Sequence, residues 1–118
     1  MNIDHIQIAI PIEGEIIARA FYTDLLGLIE IPKPAELATR GGCWFQAENM
    51  QLHLGVDPVF HPAKRAHVAF CVNQLDELRT KIEAAGYETV ADSIINGRKR
   101  FFSHDPFGNR IEFIDEFC

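Results

Sequence analysis

Imidazole and carboxylate groups are the common protein ligands of divalent transition metals, and this chain carries four of them at repeating positions. His5 opens the segment HIQIAI and His67 opens HVAFCV; 48 residues separate His5 from His53, and 45 separate His67 from Glu112. Two or three imidazoles with one carboxylate suit a single Zn, Fe(II), Mn or Ni ion. Open coordination positions on such an ion hold or polarise a substrate oxygen. Taken alone, a strand histidine is more often half-buried than a ligand, and a lone glutamate is more often a solvated edge residue. The repeat-related placement of all four favours the metal reading. His53 has a second role open to it as a general base, because imidazole titrates near working pH. His61 and His104 lie in or beside turns and are not counted as ligands.

The elements that must position these groups are short. Residues 4–10 alternate as a half-buried strand, with Ile6, Ile8 and Ile10 opposite His5, Gln7 and Ala9. Residues 15–26 read as a helix with Ile17, Phe21 and Leu25 on its apolar stripe and Gly27 at its end. A short strand (28–31), a loop (35–42) and a hairpin of 43–47 with 50–56 follow. In that hairpin Trp44 and Gln46 share a face, as do Gln51 and His53. Pro58 and Pro62 mark residues 57–64 as a connector. Residues 66–72 alternate again, Asn73 caps a helix running to Ala85 with a Leu75, Leu78 and Ile82 stripe, and 87–90 is a short strand. The last element is a hairpin over 98–115 around Asp105-Pro106-Phe107-Gly108-Asn109. There Glu112 shares a face with Arg110 and Ile114 and opposes Ile111 and Phe113.

Strand, helix, short strand and hairpin thus occur twice, which predicts an α+β fold of two repeated βαβββ modules within one domain. Module one is 1–56, the connector 57–64, and module two 65–118. Each helix must bury its stripe on one sheet face, so His5, His53, His67 and Glu112 look the other way. Trp44 and Phe102 on that face are walls for a small-molecule substrate or ordinary core, with nothing to choose between the two. Gln7, Gln46, Gln51 and Arg100 are placed to orient a polar ligand. The candidate catalytic residues are therefore His53 and Arg100, and the candidate substrate-binding residues Trp44, Gln51 and Phe102. Arg98, Lys99, Arg100 and Arg110 form a basic cluster that suits either an anionic substrate or a solvated strand edge.

Composition excludes several classes. The chain has 118 residues, 47% hydrophobic and 24% charged, with a net charge of −6, which argues against binding to nucleic acid or an anionic membrane. No run is apolar for long enough to cross a membrane, and no signal peptide is evident at the N-terminus. Cys43, Cys71 and Cys118 are odd in number and lack CxxC spacing, so they read as reduced thiols of a cytoplasmic protein. No Ser-His-Asp order, phosphate-cradling glycine loop or nucleotide fingerprint is present.

The opening His5 strand, AFYTDLLG (20–27), HVAF (67–70) and DPFGNRIE (105–112) resemble the vicinal oxygen chelate superfamily over essentially the whole chain. That superfamily holds glyoxalase I, fosfomycin-resistance proteins, extradiol dioxygenases and bleomycin-resistance proteins. The resemblance implies paired βαβββ modules in a cupped, partly open barrel, with metal ligands at His5, His53, His67 and Glu112. It also implies a homodimer, often with each site built from two chains. Lyase or isomerase, transferase and dioxygenase chemistries are all represented in the family. Glyoxalase I has a carboxylate where His53 stands, so little glyoxalase I turnover is expected here. The fosfomycin-resistance type uses His, His and Glu, matched by His5, His67 and Glu112, although its cation-binding loop is not evident in 94–98. The alternative is a metal-free, bleomycin-resistance-like protein that sequesters a drug.

Overall fold

In the computed structural model, which describes residues 1–116, the alternating run that opens each half becomes the outer strand of a four-stranded sheet. The chain divides into two compact units, Met1–Pro62 and a second beginning at Ala63, so the break falls within the proline-marked connector. The first unit holds β1 (His5–Ile10), α1 (Glu15–Arg19), β2 (Ile29–Ile31), β3 (Cys43–Gln46) and β4 (Gln51–Val56). The second holds β5 (Val68–Val72), α2 (Leu75–Ala84), β6 (Val90–Ile95), β7 (Arg98–His104) and β8 (Arg110–Asp115).

Both units obey one strand order. The sheets run β1-β4-β3-β2 and β5-β8-β7-β6, each with one parallel outer pair (β1 with β4, β5 with β8) and antiparallel pairing elsewhere. Two repeated βαβββ modules are thus the observed architecture. In the first, Tyr22 packs on Phe45 with ring centroids 5.7 Å apart, so the helical segment covers the Phe45 face. Ile10, Ala18, Phe21, Leu52 and Leu54 complete that core. In the second, Arg79 of α2 lies over Phe101, and Leu75, Ile82, Ile111 and Phe113 are buried on the same side. Period-two alternation then leaves Trp44, His53, Phe102 and Glu112 on the faces away from the helices.

Several local expectations need correction. The first helix continues past Arg19 in the wider π register over Ala20–Leu25, and Ile17 is 54% exposed rather than buried. The buried stripe is Ala18, Phe21 and Tyr22, an i, i+3, i+4 set in which a small alanine lets the helix approach the sheet. The stretch read as a loop contains a 3-10 helix, Ala35–Arg40. Asn73 does not cap α2; Gln74 holds that place in the left-handed region with no side-chain cap bond. β5 begins at Val68, so His67 precedes the strand. The short strand expected at 87–90 is instead β6, Val90–Ile95, joined to β7 by Asn96-Gly97. Both turn residues have positive φ (51° and 77°), the requirement of a tight hairpin.

The last hairpin has its expected turn, and its chemistry explains why. Asp105, 3% exposed, accepts backbone N–H bonds from Phe107 and Asn109 at 2.9 Å through Oδ1, and Asn109 Nδ2 donates to its Oδ2 at 2.9 Å. Gly108 supplies the positive φ of 92°. A carboxylate that closes three hydrogen bonds inside a five-residue turn fixes the register of β7 on β8. That register sets Phe102 opposite Glu112. Cys43 is buried and Cys71 exposed, both as free thiols; Cys118 lies outside the described residues. Among the described residues no helix is long and apolar enough to cross a membrane.

Candidate functional site

The first unit presents a wall of rings. The pairing of β3 with β4 sets Trp44 opposite His53, and their rings stack 3.7 Å apart at 4°. His5 stacks on His53 at 4.1 Å and 16°, so His53 is sandwiched and only 3% exposed. Its Nε2–H donates to Gln51 Oε1 at 2.9 Å. Burial pushes the His53 pKa down, and the neighbouring His5 lowers it further. Gln7 lies against Gly55, where an added Cβ would come within 2.6 Å of the Gln7 amide nitrogen.

The second unit presents charge. His67 Nε2 lies 2.9 Å from Glu112 Oε1, and Glu112 is 7% exposed in mid-strand. Arg100 Nη1 is 3.5 Å from Glu112 Oε2 and its Nη2 3.5 Å from Asp92 Oδ2, while Arg100 Nε donates to the Ser93 carbonyl at 2.9 Å. Phe102 meets His67 edge-on at 5.3 Å, and the Arg100 and Arg110 guanidinium carbons lie 5.2 and 3.9 Å from the Phe102 ring centre.

Hydrogen bonds on the far ring nitrogens decide what each histidine offers. His5 Nδ1–H donates to Asp4 Oδ2 at 2.8 Å, and His67 Nδ1–H donates to the Arg65 carbonyl at 2.8 Å. Both acceptors lack a proton, so each neutral ring presents a bare Nε2, the arrangement that orients metal-ligating histidines. The bare Nε2 of His67 then faces a carboxylate oxygen at 2.9 Å, two acceptors that need a proton or a cation between them. Two ligands held at about 2.1 Å from one ion and at right angles are separated by about 3 Å, so this pair fits a metal. His53 is set the other way: its Nε2 carries the proton given to Gln51. Its donor set suits a stacked, neutral side chain better than a ligand.

The candidate residues therefore fall into two groups. The first unit brings together His5, His53, Trp44 and Gln51; the second brings together His67, Glu112, Arg100 and Phe102. Among the described residues no group of three or more His, Cys, Asp or Glu side chains is placed to hold a metal by itself. Sequence reading missed Asp4 and Arg65, and it placed Arg110 in the basic cluster without its contact to Phe102. The acid next to His5 was a usable signal, whereas a backbone carbonyl and a ring contact across strands leave no mark in composition or spacing.

Duplicated βαβββ units with one strand order, carrying a His/His pair in one copy and a His/Glu pair in the other, define a class of small-ligand proteins. The chain belongs to the Glyoxalase/Bleomycin resistance protein/Dioxygenase superfamily, whose family model matches residues 3–113. A glyoxalase family protein from Bacillus anthracis is similar in structure at a TM-score of 0.93 and 49% identity, with 98% of this chain and 94% of that one covered. Fosfomycin resistance protein FosX from Listeria monocytogenes has the same fold at a TM-score of 0.78 and 16% identity, covering 98% and 93%. Lactoylglutathione lyase from Agrobacterium tumefaciens shares it at 0.70 and 21%, covering 93% and 91%. No curated protein matches the chain.

Proposed function

We propose that this protein is a metal-dependent enzyme of the superfamily that acts on a small, oxygen-chelating substrate. The observation that carries the reading is the His67–Glu112 pair, in which the imidazole Nε2 is held 2.9 Å from a buried carboxylate oxygen. His5, held in the same tautomer by Asp4, is the third ligand, which gives the His/His/Glu set. One Zn, Fe(II), Mn or Ni ion bound there supplies Lewis acidity toward the substrate's oxygens. His53 buttresses His5, and burial keeps its ring neutral, so it is a base only of reduced strength. Trp44, Gln51 and Phe102 line the ligand's place, and Arg100 offsets the charge of Glu112. Lyase or isomerase, transferase and dioxygenase steps are all compatible with these groups.

The set needs residues from both units. We infer a homodimer as the functional form, as is common in the superfamily, His5 with His53 being one contribution and His67 with Glu112 the other. The free thiols suit a cytoplasmic protein. Light scattering that finds a monomer with metal still bound removes the dimer. Elemental analysis of untreated protein tests the metal: one equivalent per site is expected, with loss in Glu112→Gln and retention in His61→Ala and His104→Ala. Equal metal in all four proteins overturns the assignment.

A second reading rests on the ring stack. Trp44, His53 and His5 form a column of stacked rings that a planar ligand can extend at an open end, as a metal-free sequestering protein requires. Purified protein without metal that still binds planar aromatic compounds favours this reading. Within the first, His53 in place of a carboxylate predicts negligible isomerisation of the methylglyoxal–glutathione adduct. Turnover in the usual enzymatic range of about 1 to 10³ per second argues against that inference.

A further inference from the structure

Four cationic side chains sit on the terminal hairpin, and three of them are spoken for. Lys99 pairs with Asp76 at 2.9 Å, Arg98 donates to the Asp115 carbonyl at 2.7 Å, and Arg100 lies between Asp92 and Glu112. The Arg110 guanidinium is different. Among the described residues it meets no carboxylate and no carbonyl; its recorded contact is the Phe102 ring, 3.9 Å away.

Strand-edge protection does not account for this. Arg110 lies on β8, which is paired on both sides, by β5 and β7, so it blunts no exposed edge. It is half-buried, in a chain of net charge −6, and the other three cations of the hairpin all have acceptors. A guanidinium flat against an aromatic ring uses its face for that contact. The in-plane N–H donors stay available, in the fork geometry that takes two oxygens of an oxyanion at once. The same ring is edge-on to His67, and Arg110 and Glu112 share one face of β8.

We propose that Arg110, laid on Phe102, is an oxyanion-binding subsite next to the His67–Glu112 pair. The substrate then carries a phosphoryl or carboxylate group in addition to the oxygens offered to the metal. This deepens the metal-enzyme reading and rests on it for the word substrate. The anion subsite itself needs no metal. Arg110 selects ligands by charge, while Phe102 fixes the plane of its fork.

The test is a calorimetric titration of the full-length protein with inorganic phosphate at low ionic strength, before and after treatment with a chelator. Native protein is expected to bind phosphate in both states. Arg110→Met keeps an apolar stem on Phe102 and removes the fork, and should weaken binding at least about tenfold. Arg110→Lys restores the charge without the fork and should recover only part of the affinity. Thermal unfolding of the variants verifies that they are folded, and the lysine variant decides the matter if the methionine variant is not. Absence of phosphate binding by the native protein, or equal binding by native protein and the folded variants, overturns the proposal. Phosphate binding through Arg110 in a protein that never takes up metal supports the subsite while removing the metal enzyme, so the two readings fail separately.

Discussion

The two units share a strand order and differ in what they carry on the face turned from the helix. The first unit has three stacked rings, edged by Gln7, Gln46 and Gln51. The second has one ring with two guanidiniums, an imidazole and a carboxylate around it. A repeated backbone therefore supplies two matched platforms, and the side chains divide the labour. One platform carries a column of stacked rings; the other carries charged side chains around a single ring. Equivalent sequence places do not imply equivalent surroundings: His53 and Glu112 match in the repeat, yet one is stacked between two rings and the other is a buried carboxyl between His67 and Arg100.

The sharpest test of that contrast substitutes both members of the matched pair. Glu112→Gln is expected to lower metal affinity by more than about 100-fold, because loss of a ligand exceeds the 10–100-fold typical of outer-shell changes. His53→Phe keeps the stack and should retain the metal within about tenfold. Equal losses in isothermal titration with zinc would make His53 a ligand and erase the distinction.

The hairpin turns give the next effect. Asp105→Ala strips a buried turn of three hydrogen bonds and should cost about 2–3 kcal/mol in urea unfolding. Asn49, exposed in the corresponding turn of the first unit, should be replaceable by alanine within about 0.5 kcal/mol. A small loss at Asp105 would show that β7 and β8 keep register without their turn.

The thiols separate the units in the other direction. Burial pushes Cys43 up to about 11, so at pH 8 it should react with a disulfide reagent far more slowly than exposed Cys71. Because the folded state holds this proton more tightly than the unfolded chain, the associated stability is complete below about pH 9 and is lost as pH rises toward 11. Cys43→Ala should flatten that part of the stability curve. An unchanged alkaline slope would place the effect on other groups.

Much of the architecture was legible because it is written in periods. Alternation marked β1, β5 and the last hairpin, and the matching separations of four ligand-type residues exposed the duplication. The helix stripe was misassigned because Ile17 is the bulkier residue, whereas close approach to the sheet selects Ala18. β6 was missed because its residues are exposed on both faces and show no period; only Asn96-Gly97 marked its end. For the site, residue identity was readable and state was not. That His53 offers the opposite nitrogen from His5 and His67 depends on Gln51, Asp4 and the Arg65 carbonyl, three contacts that one-dimensional spacing does not encode.

The parallel pairing at the side of each sheet has a consequence for biogenesis. β5 has one hydrogen-bonded neighbour, β8, which is the last of the eight strands to be synthesised. While α2, β6 and β7 leave the ribosome, β5 waits with its backbone unsatisfied, and the nascent second unit cannot close its sheet. The first unit faces a similar wait, with 46 residues from His5 to its partner Gln51 against 43 from Val68 to Ile111, and ends it before the second unit has emerged. Long-range parallel closure is slow and leaves strands open to wrong partners. Translation thus orders assembly, the ring-bearing half first and the charged half last, and each half passes through an interval in which its first strand is still unpaired.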